Sequence, residues 1–143
     1  FIIGYPGETE VDFEKTLDLM KKVRYINSYS FIFSARPGTP SFNLKKPDNN
    51  LVKKRLFIFQ NIAKKIKTEY RKSLLLKTVP VLFENKTKNE NKYFGRDKFF
   101  NSIIVKSHEN LTGKIKTVQI TKVSQNTLYG EIKSKFSQKE FAA

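Results

Sequence analysis

The stretch TVPVLFE, Thr78 to Glu84, is where the chain changes texture. Its β-branched and aromatic residues favour an extended strand, and the polar loop Asn85 to Asn91 ends it. Toward the C-terminus, Ser102 to Lys106, Ile115 to Val123 and Thr127 to Lys133 have the same strand-like composition. Ser124-Gln-Asn126 supplies a turn between the last two. Short strands divided by turn residues predict a small all-β barrel from about Leu74 onward. Ser134 to Ala143 reads as a basic tail.

Toward the N-terminus the periodicity is helical. Leu51, Arg55, Leu56, Phe59, Ile62, Ala63, Ile66 and Tyr70 recur at the spacing of one helix face. Lys53, Lys54, Lys64, Lys65 and Lys67 fall largely on other faces, as on an ordinary solvated surface. An earlier helix is predicted after Thr9, which with Asp12 makes a capping pattern. Glu8, Glu10, Asp12 and Glu14 set negative charge at the positive end of its dipole, and Lys21, Lys22 and Arg24 crowd its last turn. Phe13, Leu17, Met20 and Val23 form its apolar face. Phe1 to Ile3 before this helix and Tyr29 to Ser34 after it read as strands. Strand, helix and strand with short links make one βαβ unit, whose strands run parallel. Parallel strands need neighbours on both sides and cover on both faces. One unit supplies neither, so the segment is expected to complete a larger sheet, and the abrupt apolar start is expected to mark a piece of a longer chain.

The 143 residues carry a formal charge of +15, with 13 basic against 7 acidic residues up to Tyr70 and 15 against 6 from Arg71 onward. Such a field favours nucleic acid or another anionic surface, but it specifies no chemistry. There is no cysteine and a single histidine, His108, which excludes disulfides and thiolate metal sites within the chain and leaves His108 as a surface residue. No apolar run reaches the roughly 20 residues that span a bilayer, and no secretion-signal pattern opens the chain. A cytoplasmic protein is expected.

Three segments carry possible chemistry. Gly4-Tyr-Pro-Gly-Glu-Thr9 sits where a parallel strand hands over to a helix, the end of an α/β sheet at which ligands bind. From the pattern alone, a well-made connection with a good cap is the stronger reading. Arg36-Pro-Gly-Thr39 follows the next strand at the same sheet end, where a guanidinium holds phosphate or carboxylate, or merely decorates a turn. Tyr93-Phe-Gly-Arg-Asp-Lys-Phe-Phe-Asn-Ser102 mixes rings with cations. That mixture suits RNA, whose phosphates take the cations and whose unpaired bases stack on the rings. The alternative puts Phe99 and Phe100 partly in a core, with Arg96 bracing a turn.

Taken in order, Phe1-Ile-Ile-Gly-Tyr-Pro-Gly-Glu-Thr-Glu10, the Asp12-Phe-Glu helix, Ser30-Phe-Ile-Phe-Ser-Ala-Arg-Pro-Gly-Thr-Pro40 and the Leu56-to-Tyr70 helix resemble the last part of the radical SAM domain of methylthiotransferases. Thr78 to Glu84, Phe94-Gly-Arg96, Leu111-Thr-Gly-Lys-Ile115 and Asn126-Thr-Leu-Tyr-Gly-Glu-Ile132 resemble the TRAM domain that follows it in that family. The Val-Leu-Phe-Glu strand and the Gly-Arg-Asp-Lys-Phe-Phe-Asn-Ser segment are most similar to the tRNA-acting MiaB type. Two positions depart from the pattern: Leu76 stands where a Gly is common, and Asn85 to Asn91 is rich in Lys and Asn where Gly and Pro are frequent.

The resemblance implies an α/β plus all-β fold: the last βα units of a partial (β/α) radical SAM barrel (1–73), a TRAM β-barrel (74–137) and a tail (138–143). It implies the C-terminal part of an enzyme that converts N6-isopentenyladenosine beside the tRNA anticodon to its 2-methylthio derivative. S-adenosylmethionine and two 4Fe–4S clusters are the implied cofactors. The cluster cysteines lie upstream in the family, so this chain holds no catalytic or metal-ligating residue and is expected to be inactive alone. Ile2, Ile3, Gly4 and Arg36 are the implied cofactor-side residues, with Arg36 facing either S-adenosylmethionine or substrate. Arg96, Lys98 and Phe99 are the candidates for RNA contact, the tRNA anticodon stem-loop is the partner, and the protein is expected to be a monomer away from membranes. The alternatives are a methylthiotransferase for threonylcarbamoyladenosine in tRNA or for a ribosomal protein, and a stand-alone RNA-binding module.

Overall fold

Thr9 and Asp12 close helix α1 (Glu10–Val23) by reciprocal bonds. The Asp12 amide donates to the Thr9 hydroxyl at 3.2 Å, and Asp12 Oδ2 accepts the Thr9 amide at 3.0 Å and its hydroxyl at 2.7 Å. Two otherwise unpaired N–H groups are thereby satisfied. The computed structural model describes residues 1–88 and 91–133, which divide between Tyr70 and Arg71 into two compact units. The tail expected at 138–143 lies outside the described residues.

In the first unit, β1 (Ile2–Ile3) pairs with β2 (Phe31–Ile32), Ile2 opposite Phe31 and Ile3 opposite Ile32. The pairing is parallel, as a βαβ crossover requires. Both strands are shorter than predicted. β2 pairs only where β1 faces it, so Tyr29 and Ser30 stay outside the ladder. Helix α2 (Asn49–Lys72) starts where Asp48 Oδ1 accepts the Leu51 amide at 2.8 Å. Its buried face, Phe59 and Ile66, packs with Ile3, Phe13 and Met20 to form the unit's core, and Leu17, Leu56, Ile62 and Ala63 line its margin. Val23, predicted on the same face of α1, is exposed. Ten positions beyond Phe13, at about 100° per residue, it lies roughly 80° off the buried axis, and the helix ends one residue later at Arg24 in the left-handed region (φ 56°).

The second unit is a closed five-stranded barrel in the order β3-β4-β5-β7-β6. Its strands are β3 (Thr78–Lys86), β4 (Lys92–Arg96), β5 (Ser102–Lys106), β6 (Ile115–Val123) and β7 (Leu128–Ile132). All neighbours are antiparallel except β5 and β7, whose parallel pairing (Ile103 opposite Leu128) completes the closure. Period-two alternation turns Val81, Phe83, Tyr93, Ile103, Val105, Val118, Ile120 and Leu128 inward, and Leu111 from the β5–β6 connection joins them. Gly95 and Gly130 also face inward, and a Cβ on either would collide with the neighbouring strand's backbone and with Val81 or Val118. Closure at this diameter therefore needs a glycine on β4 and on β7. Pro80 costs the β3–β6 ladder nothing, because the carbonyl of its partner Thr117 accepts from Lys133 instead.

The sequence reading has four strands in this half and the structure five. β4 lies inside the segment read only as a mixture of rings and cations. Its signal is weak because one of its two inward positions is Gly95, which contributes no side chain to an apolar pattern.

Candidate nucleic-acid interface

β4 and β5 are joined by a turn organised by one buried carboxylate. Asp97 Oδ1 accepts the amides of Phe99 and Asn101, both at 2.9 Å, and Oδ2 accepts the Asn101 side-chain amide at 2.8 Å. The Phe100 amide donates to the Asp97 carbonyl at 3.0 Å. Asp97 and Asn101 are both buried. Arg71, also buried, donates to the Gln125 carbonyl. Burial pushes its guanidinium below the usual value, and the Asp97 charge opposes that shift. A charge-assisted network of this kind holds a short turn rigid.

The rigid turn presents Lys98, Phe99 and Phe100 outward, all three exposed. Lys98 Nζ lies 4.9 Å from the centre of the Phe99 ring, a cation–π contact within one turn. Phe100 has φ 59°, a left-handed conformation uncommon for a bulky residue, and is 72% exposed. On the adjoining barrel wall a shallow recess of about 360 Å³ is lined by Pro80, Leu82, Glu84, Arg96, Asp97, Lys98, Phe100 and Ile115. Arg96 Nε pairs with Glu84 at 3.0 Å, and its guanidinium stands 5.3 Å from the centre of the Phe94 ring. Of the three predicted RNA contacts, Arg96 and Lys98 meet at this recess, while Phe99 sits beside it under Lys98. Phe100 and the wall residues Leu82 and Ile115 are not among the predicted RNA contacts, and Phe99 and Phe100 are both exposed, against the alternative that puts them partly in a core. Phe100 directly follows Phe99 in the sequence, and what separates them is the left-handed backbone at position 100 and the Lys98 ammonium over the Phe99 ring.

In the first unit, Gly4 lines a cleft of about 390 Å³ with Ile32, Phe33, Ser34, Ala35, Lys46, Pro47, Asn49 and Val52. Gly4 has φ 79°, and a Cβ there would overlap the Val52 side chain, so α2 presses directly on the turn's backbone. Its amide donates to Glu8 Oε2 at 2.7 Å. The other predicted cofactor-side residues do not line this cleft. Ile3 is wholly buried in the core, Ile2 is exposed, and Arg36 is exposed on a turn whose carbonyl accepts the Thr39 amide and hydroxyl.

Beneath the Gly4 turn lies an ion-pair cluster that helix periodicity alone does not distinguish. Arg55 of α2, only 4% exposed, donates to Glu10 Oε2 at 2.7 Å, to Glu8 Oε2 at 3.3 Å and to the Glu8 carbonyl at 3.1 Å. Its guanidinium also stands 5.3 Å from the centre of the Phe13 ring. Position 55 was recognised as belonging to the buried face; that it carries a charge is what marks the clasp. Among the described residues no cluster of three or more His, Cys, Asp or Glu side chains forms a metal site, and no helix is long and apolar enough to cross a membrane.

A closed five-stranded barrel carrying a basic, aromatic turn on its wall is matched by a known domain class: residues 72–133 match the family model described as the TRAM domain. Over more than nine-tenths of its length the chain is also similar to proteins named tRNA-2-methylthio-N(6)-dimethylallyladenosine synthase. The relative from Pelagibacter ubique is 45% identical over 132 residues, covering 92% of this chain and 30% of the relative. That from Wolbachia pipientis wMel is 40% identical over 133 residues (91% and 30%), and that from Rickettsia typhi 40% identical over 134 residues (92% and 30%). The chain thus spans about 30% of the length of the curated relatives it matches.

Proposed function

We propose that the chain is the C-terminal part of a tRNA methylthiotransferase of the MiaB type, acting in the cytoplasm as a monomer on N6-isopentenyladenosine beside the anticodon. Residues 74–137 are its TRAM domain and bind the anticodon stem-loop; residues 1–73 complete the SAM-side edge of the catalytic barrel. The observation that carries this reading is the similarity, at 38–45% identity, to synthases of that name along both units. The open face of the first unit supports it: Ile2 and Phe31, opposite each other on the two-stranded sheet, are 55% and 60% exposed, as strands awaiting sheet neighbours and a covering layer are.

The chain has no cysteine and so offers no thiolate to a 4Fe–4S cluster; on this reading the cluster cysteines are supplied by a part of the enzyme outside this sequence. For S-adenosylmethionine the fit is partial. The Gly4 cleft has the size and mixed polarity of a small-ligand site. Its apolar wall (Ile32, Phe33 and Val52) suits a flat adenine, with Ser34 and Asn49 supplying polar partners. When bound, S-adenosylmethionine supplies the radical and the methyl group. The chain's own part is to hold the Gly4 turn in place through Arg55 and Glu8, and to dock the RNA through the barrel.

The test joins this chain to its upstream reading frame, in a cell lacking its own 2-methylthiolation, and analyses tRNA nucleosides by mass spectrometry. Appearance of the 2-methylthio derivative of N6-isopentenyladenosine is expected. An upstream frame without a CxxxCxxC motif, or a product on another nucleoside, overturns the reading.

A further inference from the structure

We propose that the recess bounded by Pro80, Leu82, Phe100 and Ile115 receives one unstacked base of a single-stranded RNA segment, with Phe100 as the stacking platform and Lys98 on the neighbouring phosphate. The inference rests on the RNA-binding reading of the barrel and adds what that reading lacks: a base subsite and the residue that makes it. Leu82, Phe100 and Ile115 are 46%, 72% and 68% exposed yet line one recess together with Pro80, so their apolar surface is gathered at one place. Apolar surface gathered in this way marks a binding site rather than scattered exposure.

The backbone argues the same way. A phenylalanine in the left-handed region is strained, and the Asp97–Asn101 network holds it there while the residue stays 72% exposed. Phe99, one residue earlier, has its ring beneath Lys98. Phe100 is therefore the ring left free for a base.

Charge selects the occupant. Glu84, the recess's exposed carboxylate, is paired with Arg96, and Asp97 is turned inward on its own loop. Lys98 makes no ion pair among the described residues, and the chain from Arg71 onward carries 15 basic against 6 acidic residues. An apolar floor with a cationic rim matches a nucleotide, whose base is flat and apolar-faced and whose phosphate is anionic. A duplex keeps its bases stacked inside and cannot use the floor.

The experiment uses the whole chain and a stem-loop RNA carrying 2-aminopurine at each unpaired loop position in turn, beside a continuous duplex of equal phosphate count. Phe100→Asn keeps a side chain that tolerates the left-handed backbone and removes the ring; Phe100→Trp keeps a ring. Quenching of 2-aminopurine at one loop position is expected with the unsubstituted chain and with Phe100→Trp. Phe100→Asn is expected to abolish it and to weaken loop binding roughly five- to hundredfold, leaving duplex binding unchanged and the melting temperature no lower, because asparagine relieves the backbone strain. Loop binding that survives Phe100→Asn but falls with Lys98→Ala overturns the base subsite while leaving the RNA-binding reading intact. No RNA binding by the unsubstituted chain overturns both. Self-association in sedimentation that Phe100→Asn removes assigns the recess to a protein contact and overturns the subsite.

Discussion

Asp97 and Asn101 grip each other twice across the β4–β5 turn, Oδ1 to the Asn101 amide at 2.9 Å and Oδ2 to its side-chain amide at 2.8 Å. Both residues are buried, so neither bond is replaced by water when one partner is lost. Asp97→Ala strips acceptors from two amides and one side chain, and should lower stability by about 2–4 kcal/mol in urea denaturation of the chain. Asp97→Asn keeps one acceptor oxygen and should lose less than half of that. Equal losses for the two would mean that packing, not hydrogen bonding, holds the turn.

Arg55 relates to Glu8 and Glu10 unequally. Glu8 is nearly buried and also accepts the Gly4 amide, whereas Glu10 is mostly exposed. Glu10→Gln should therefore cost under about 1 kcal/mol, while Arg55→Met leaves a buried carboxylate uncompensated and should cost about 3 kcal/mol or more. Glu8→Ala should accelerate hydrogen exchange at the Gly4 amide, which donates to its carboxylate. An unchanged Gly4 exchange rate would show that Val52 alone holds the turn.

Features with local causes are legible in the sequence. The Thr9–Asp12 cap, the parallel βαβ order, four of the barrel strands and most of both helix faces follow from neighbouring residues, the exceptions on the faces being Val23 and Leu51, which are exposed, and Val52, which is buried. What was not legible depends on closure. β4 is defined by its pairing with β3 and β5 more than by its own composition. The recess exists only because Pro80 and Leu82 of β3, Ile115 of β6 and Phe100 of the β4–β5 turn are brought together by barrel register. Likewise, Arg55 reads as an oddity on an apolar face until Glu8 and Glu10 are placed against it.

Leu76 carries φ 63° and is 69% exposed. Its amide nevertheless donates to the Ile120 carbonyl at 2.8 Å, so the barrel holds the residue in that conformation. The left-handed backbone costs a leucine about 1–2 kcal/mol that glycine does not bear, partly offset by glycine's greater freedom when unfolded. Leu76→Gly should raise the barrel's stability by roughly 0.5 kcal/mol. Leu76→Ala should give no gain, because alanine retains the strain. A loss on Leu76→Gly would mean that glycine's greater freedom in the unfolded chain outweighs the relieved strain.

Asp12 is held below the ordinary carboxyl value, first by the Thr9 hydroxyl and next by the Thr9 amide. A group whose folded value is depressed stabilises the fold above its unfolded value, and that contribution disappears as pH falls through the folded one. The window therefore lies below about pH 4. Asp12→Asn should lower the melting temperature at pH 7, and the difference from the unsubstituted chain should shrink toward pH 3. A gap that is constant over that range would remove the carboxylate's charge from the account.

Arg96 and Lys98 flank the same recess but differ in what a phosphate must displace. Arg96 is engaged with Glu84 and stacked beside Phe94, so phosphate competes with a carboxylate already in place. Lys98 stands over a ring and competes with nothing anionic among the described residues. Each phosphate contact contributes about 0.7–0.9 to the slope of log affinity against log salt. Lys98→Ala should therefore reduce that slope by nearly one contact, and Arg96→Ala by distinctly less. Glu84→Gln frees the guanidinium and should tighten binding and steepen the slope, an effect that Arg96→Ala in the same chain abolishes. Fluorescence anisotropy across a salt series measures all four. If Glu84→Gln leaves the slope unchanged, Arg96 is a brace for the β3–β4 edge, and the phosphate contacts lie elsewhere on the barrel.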